Sequence, residues 1–138
     1  MLTTSQIERY MKHDKTFIGV YPIDRLPTCI LPKPSGIIIN LDESYKDGSH
    51  WVAVKFELKK PAIYFDSFGR YPPDAIISFM ERNGKHWISS TKIYQSPYSS
   101  LCGYYCILFL LCKAENFFQI MRSCDFIYNQ NKIKQMFF

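Results

Sequence analysis

The chain has 138 residues, of which 47% are hydrophobic and 17% aromatic, and its formal net charge at pH 7 is +5. This composition excludes a disordered chain, and the length fits one domain over residues 1–138 with a single core. The longest apolar run is shorter than the roughly 20 residues that span a bilayer, and the first residues lack the apolar core of a signal peptide. We therefore expect a soluble intracellular protein that does not engage a membrane.

The first half of the sequence alternates helix, loop and strand signals. A capping-box pattern that starts at Ser5 predicts a helix over residues 4–13. Four prolines between Pro22 and Pro34 exclude regular structure there and predict an ordered surface loop. Runs of β-branched and aromatic residues predict strands at residues 17–21, 36–41, 50–58 and 62–65. The last two strands are expected to pair as an antiparallel hairpin.

The second half of the sequence is predicted to be mainly helical. A helix is expected to start at Pro72 and Pro73 and to end at Asn83-Gly84. Further elements are predicted as a strand at residues 87–94, an almost wholly apolar helix at 101–112 and a final helix at 125–136.

The apolar helix at residues 101–112 begins beside a cysteine. Ser99 and Ser100 are good N-cap residues, so we expect Cys102 in the first helical turn. Unpaired backbone N–H groups and the positive end of the helix dipole favour thiolate over thiol at that position. Gly103, a poor helix former, indicates close approach beside the sulfur, as by a substrate. The alternative is that Cys102 is a small apolar core residue, which is the commoner role of a buried cysteine.

A histidine and an acid are predicted at one end of the hairpin. His50 begins one strand and Asp66 ends its partner, and antiparallel neighbours stand about 4.5–5.5 Å apart. An imidazole and a carboxylate placed in this way can form a hydrogen bond. The alternatives are that His50 is a half-exposed strand end and that Asp66 only shapes the following turn.

Together these residues make up the inventory of a cysteine nucleophile. Cys102 would attack a carbonyl carbon, and His50 would hold the thiolate as an ion pair and protonate the leaving group. Asp66 would fix the imidazole tautomer, while Gln95 and the backbone N–H of Cys102 would hold the oxyanion. This chemistry requires no cofactor.

The cysteine pattern also excludes two other classes of site. Five cysteines are an odd number without paired spacing, so we expect reduced thiols and no disulfide framework. Cys102 and Cys106 lie four residues apart without a nearby histidine, so we expect no metal site.

At the same residues the chain resembles the adenovirus protease (adenain) family, including the versions of Polinton-type transposons and related viruses. The resemblance is carried by Gly48-Ser49-His50-Trp51-Val52-Ala53, Tyr64-Phe65-Asp66-Ser67-Phe68-Gly69 and Gln95-Ser96-Pro97 through Ser100-Leu101-Cys102-Gly103. It implies an α+β fold of the papain-like type with permuted order, in which a central helix with the nucleophile packs on a mostly antiparallel sheet. It also implies endopeptidase cleavage of virion or capsid precursors at Gly-containing sites, in the host nucleus or the virion.

The chain departs from the adenovirus pattern in three respects. The segment after Cys102 is short, so some C-terminal helices of that family are not expected. The acid is Asp66, where the adenovirus enzymes commonly have Glu; related proteases that remove ubiquitin-like proteins use Asp. Adenovirus enzymes are activated by a peptide through a disulfide to a cysteine between the acid and the nucleophile. This sequence has no cysteine between Asp66 and Cys102. An activating peptide is therefore not expected to be disulfide-linked there.

Two other functions stay open at this point. The same residues would serve an isopeptidase for ubiquitin-like proteins or an acyltransferase, and a catalytically silent chain would bind DNA or capsid. The net charge of +5 also permits non-specific DNA binding as a cofactor of the protease. The candidate contacts are Lys59, Lys60, Lys113, Arg122, Lys132 and Lys134.

Overall fold

The computed structural model describes residues 1–42, 50–84, 86–112 and 114–138. Its elements in chain order are α1 Thr4–Met11, β1 Phe17–Pro22, a 3-10 turn Ile23–Arg25, β2 Ser35–Asn40, β3 Trp51–Phe56, β4 Ala62–Phe65, α2 Asp74–Asn83, β5 Trp87–Ser89, α3 Cys102–Leu111, α4 Ala114–Ile120 and α5 Phe126–Phe137. Gly48 and Ser49 of the first motif and the candidate DNA contact Lys113 lie outside the described residues. No helix in the described ranges is long and apolar enough to cross a membrane.

The described strands form one five-stranded sheet in the order β1-β2-β3-β4-β5. The ladder is antiparallel across the central strands β2, β3 and β4, whereas each edge strand runs parallel to its neighbour. Helices cover both faces of this sheet, and the expected α+β fold with a central helix packed on the sheet is confirmed.

The sheet separates two apolar layers. Helix α3 packs against one face, where Ala53 and Phe65 belong to its core cluster. Helix α2 covers the other face, where Val52, Val54 and Tyr64 are fully buried. Alternate residues of a strand point to opposite faces, so β3 contributes apolar side chains to both layers. Helix α3 is apolar on nearly all sides because it lies inside the molecule.

Several predicted boundaries were wrong for local reasons. The N-cap of α1 is Thr3, which forms the capping box with Gln6, so the motif starts two residues before Ser5 and the helix ends at Met11. The N-cap of α3 is Leu101, not a serine, and no side chain caps this helix. The Ser99 hydroxyl instead accepts a hydrogen bond from the Leu101 N–H at 3.2 Å.

Two further differences concern the C-terminal half. The strand predicted at residues 87–94 covers only Trp87–Ser89, because its partner β4 ends at Phe65. Helix α4 was not predicted; it buries Phe117 completely, with its ring 4.9 Å from that of Phe65. The aromatic residues that end the chain pack against the Tyr104 ring of α3, with centroids at 5.1 Å for Phe137 and 5.0 Å for Phe138.

Candidate active site

The hairpin register sets the distance between the histidine and the acid. Ala53 pairs with Phe65 and Val54 with Tyr64, so the residues that precede β3 and follow β4 lie at one end of the sheet. His50 Nε2 is 2.8 Å from Asp66 Oδ1 in this arrangement. The carboxylate is fully buried, and Oδ1 also accepts the backbone N–H of Phe68 at 2.8 Å.

These contacts determine which imidazole nitrogen is occupied by the acid. Because Asp66 Oδ1 accepts hydrogen bonds, we assign a proton to His50 Nε2. His50 Nδ1 is buried and has no hydrogen-bond partner among the described residues. Nδ1 is therefore the nitrogen left to exchange a proton with Cys102 or a substrate.

The surroundings of His50 favour its charged form. Burial by itself lowers the pKa of His50, but the hydrogen bond to Asp66 and the interactions with Asp66 and Cys102 outweigh burial and raise the pKa from 6.5 to about 9. The imidazole is therefore protonated at neutral pH. The Phe68 ring stacks on the imidazole, with the two centroids 4.7 Å apart. The Arg70 guanidinium lies 4.9 Å from the centroid of the Phe68 ring in a cation–π contact.

Cys102 is the first residue of α3, and its exposed fraction is 2%. The first N–H groups of an α-helix have no partner within the helix, and no side chain caps α3. At the other end of α3, Lys55 Nζ donates to the Cys112 carbonyl oxygen at 2.8 Å. Lys55 lies on β3, the strand that follows His50, so this bond helps to fix the helix relative to the histidine.

The other cysteines lie in different surroundings. Burial raises the pKa of Cys106 well above its usual value, with charge interactions from Cys102 and Asp66 in the same direction. Cys29 and Cys124 are exposed, and all five cysteines are free thiols. No group of three or more His, Cys, Asp or Glu side chains within the described ranges is placed to hold a metal ion.

Gln95 is buried and its side-chain amide is held from both sides. Gln95 Nε2 donates to the Ser99 carbonyl oxygen at 2.8 Å, and Gln95 Oε1 accepts the Ser67 hydroxyl at 2.5 Å. A carbonyl oxygen only accepts, so the Ser99 contact fixes which end of the amide is nitrogen. The amide nitrogen carries two hydrogens, and the Ser99 contact uses one of them.

Gly103 has a different role from the one expected. A Cβ atom there would lie 3.1 Å from Leu2 Cδ1 and 3.3 Å from Trp51 Cδ1. The space beside residue 103 is thus filled by these two side chains, and it is not an opening for a substrate. The Trp51 indole also donates to the Leu2 carbonyl oxygen at 3.1 Å, which ties the N-terminal segment to this site.

The turn after Asp66 contains residues that sequence reasoning missed. Ser67 holds Gln95, and Phe68 stacks on His50. Gly69 has a φ of +71°, and a Cβ there would lie 2.8 Å from the Thr91 carbonyl oxygen, so this position requires glycine. Only one feature of the sequence could have pointed to these three residues, which is that they directly follow the candidate acid.

A buried helix that begins at Cys102, packed on a sheet whose end carries His50 and Asp66, gives the chain the fold of papain-like viral cysteine proteases. Two crystal structures of the ASFV pS273R protease share this fold. One aligns with a TM-score of 0.61 at 17% identity over 91% of this chain and 62% of that chain. The selenomethionine form aligns with a TM-score of 0.50 at 22% identity over 69% of this chain and 41% of that chain.

The chain thus spans less than two thirds of the length of that protease in either structure. No protein-family model matches the sequence, and no curated protein matches it. Sequence identities below one quarter support a shared fold and leave the activity to be argued from the site.

Proposed function

We propose that the chain is a cysteine endopeptidase with Cys102 as nucleophile, His50 as acid and base, and Asp66 as the orienting group. The observation that carries the proposal is the 2.8 Å bond from His50 Nε2 to the buried Asp66, beside a cysteine at the start of a buried helix. The bond leaves His50 Nδ1 for the proton transfers of thiol catalysis.

The reaction begins with the sulfur of Cys102 attacking the carbonyl carbon of the scissile peptide bond. Negative charge develops on the carbonyl oxygen, where Gln95 Nε2 and the backbone N–H of Cys102 donate hydrogen bonds. His50 Nδ1 then gives its proton to the leaving amine, and a thioester forms at Cys102. Neutral His50 next takes a proton from water, and the hydroxide adds to the thioester carbonyl. The carbon–sulfur bond then breaks, which releases the carboxylic acid product and restores the Cys102 thiolate beside protonated His50.

The substrate class is proposed from two likenesses. The fold is similar to that of the ASFV pS273R protease, and the motifs around His50, Asp66 and Cys102 resemble the adenain family. We propose that the chain processes virion or capsid precursors of a DNA virus or a virus-like transposon at Gly-containing sites. Isopeptidase or acyltransferase activity and a silent binding module are the other outcomes that the test separates.

The test compares Gly-Gly peptides, conjugates of ubiquitin-like proteins and acyl-CoA as substrates for the same protein. We expect peptide cleavage by the wild type and none by Cys102→Ala. Cys29→Ala removes an exposed thiol from the loop before β2 and is the matched control, which should cleave at the wild-type rate.

A peptide vinyl sulfone, followed by peptide mapping, identifies the reactive thiol. Labelling of Cys102 supports the proposal. Labelling of Cys106, Cys112 or Cys124 with Cys102 spared would overturn the assignment, and so would full activity of Cys102→Ala.

A further inference from the structure

Ser67 connects the candidate acid to the candidate oxyanion donor. It follows Asp66 directly in the chain, and it is fully buried. Its carbonyl oxygen accepts the backbone N–H groups of Tyr94 at 2.9 Å and Gln95 at 3.1 Å. Its hydroxyl donates to Gln95 Oε1 at 2.5 Å. Ser67 therefore bonds both the backbone and the side chain of Gln95.

The hydroxyl contact controls the direction of the Gln95 amide. With Oε1 held by Ser67 and one N–H held by the Ser99 carbonyl, the amide plane is fixed by bonds at both ends. Loss of the hydroxyl would leave Oε1 buried without this donor, and the amide would turn about its last side-chain bond to find another. The second N–H of Gln95 would then no longer point in one direction.

The same turn also positions the histidine. Asp66 bonds His50 Nε2, and the Phe68 N–H donates to the same carboxylate oxygen. Gly69, which closes the turn, fits only as glycine against the Thr91 carbonyl. The acid and the oxyanion donor are thus held by consecutive residues, although Gln95 lies 28 positions after Ser67.

We infer that Ser67 is a positioning residue that aims the Gln95 amide at the oxyanion. The turn after Asp66 would then fix the positions of both the proton-transfer group and the oxyanion donor. This inference rests on the proposed protease function. It predicts that Ser67 affects the step in which the oxyanion forms and leaves the reactivity of the thiol unchanged.

Ser67→Ala should lower kcat about tenfold with little change in KM, because a misdirected donor still contributes part of the 10²–10³-fold effect of an oxyanion-hole group. A peptide aldehyde, which forms a tetrahedral adduct with Cys102, should bind more weakly by a similar factor. Iodoacetamide alkylates the sulfur without forming an oxyanion, so its rate with Ser67→Ala and the pH profile of that rate should match the wild type.

Three further variants separate positioning from packing. Ser67→Thr keeps the hydroxyl and should retain more activity than Ser67→Ala. Adding Ser67→Ala to Gln95→Ala should cost little more than Gln95→Ala alone, because the two act as one unit. Ser35→Ala is the matched control, since Ser35 is a buried serine at the far end of the sheet whose hydroxyl has no partner among the described residues.

The inference is overturned if Ser67→Ala keeps the wild-type kcat, if its alkylation rate falls as much as its kcat, or if its effect adds fully to that of Gln95→Ala. Thermal unfolding of each variant identifies any that fails to fold, and Ser67→Thr then provides the comparison. A wild type that neither cleaves peptides nor binds the aldehyde contradicts the proposed function itself. An active wild type beside an unaffected Ser67→Ala contradicts only the role of Ser67.

Discussion

The β3–β4 hairpin carries a pair of charged groups at each end, and one pair is buried whereas the other is exposed to solvent. At one end His50 and Asp66 are buried and bond each other at 2.8 Å. At the other end Lys60 lies 3.7 Å from Glu57 on the surface. Exposed pairs of this kind contribute about 0–1 kcal/mol and are screened by salt, whereas a buried partner that loses its counterpart is costly. We therefore expect substitutions at the first end to affect the chemistry and substitutions at the second end to affect only weak binding.

The largest difference in activity between the two ends is expected when a histidine at each end is replaced. His50→Ala should lower kcat/KM of peptide cleavage by about 10⁴-fold or more, because it removes the acid and base. His86→Ala changes an exposed histidine that lines the cavity at the other end, and it should leave the rate unchanged. Steady-state kinetics of both variants measures the effect. Comparable losses in the two would contradict the assignment of the site.

The oxyanion donor should show the next largest effect. Gln95→Ala removes one donor, so kcat should fall by about 10²–10³ with a smaller change in KM. Gln119→Ala changes an exposed glutamine of α4 and serves as its control. An unchanged kcat in Gln95→Ala would show that this buried amide only supports the segment before α3.

The pH dependence should report the pairing of His50 with its acid. Protonated His50 is needed to release the amine, so the alkaline limb of the wild-type kcat/KM profile should lie near pH 9, where His50 of the free protein loses its proton. Asp66→Asn removes a group that raises the pKa of His50, so the limb should move to lower pH and the remaining activity should be small. A limb that stays in place in Asp66→Asn would contradict this role of the carboxylate.

The same pairing makes folding stability depend on pH. The pKa of His50 is higher in the folded chain, so its stabilising effect is fully present below pH 6.5 and is lost as pH rises to about 9. Wild-type unfolding midpoints should therefore fall over this interval more than those of His50→Ala. Equal slopes in the two proteins would show that the paired histidine does not stabilise the fold.

The smallest effects are expected for the surface lysines that the DNA prediction names. Lys59 and Lys60 line a cavity of about 260 Å³ at the second end of the hairpin, whereas Lys134 lines a separate cavity of about 360 Å³ beside Leu101. Arg122 and Lys132 both lie near the Tyr128 ring of α5 in cation–π contacts, at 3.7 and 5.5 Å from its centroid. These residues are thus distributed over more than one surface.

DNA binding stays a prediction, and salt dependence tests it. If Lys59 and Lys60 each contact a phosphate, the double substitution to alanine should reduce the slope of log affinity against log salt by about 1.8 for duplex DNA. Cleavage of a short peptide should not change. A slope equal to that of the wild type would show that these lysines are only solvated.

Local patterns predicted the parts of the site that depend on neighbouring residues. The hairpin places His50 beside Asp66 because strand alternation and turn position are readable in the sequence, and the apolar run after Leu101 predicts the helix that starts at Cys102. The bond from Ser67 to Gln95 was not predictable, because it depends on how the chain returns through α2 and β5. The Gly103 contact with Leu2 depends in the same way on where the N-terminal segment packs.

The position of Trp51 provides an optical signal from the candidate active site. The indole is 3% exposed, donates a hydrogen bond to the Leu2 carbonyl oxygen and packs against Gly103. The second tryptophan, Trp87, lies on the edge strand β5. The Trp87→Phe variant would therefore have a single tryptophan, which lies next to the thiol and can be excited selectively beside the ten tyrosines. Its fluorescence would report alkylation of Cys102 or release of the N-terminal segment in real time, without a dye attached to the protein.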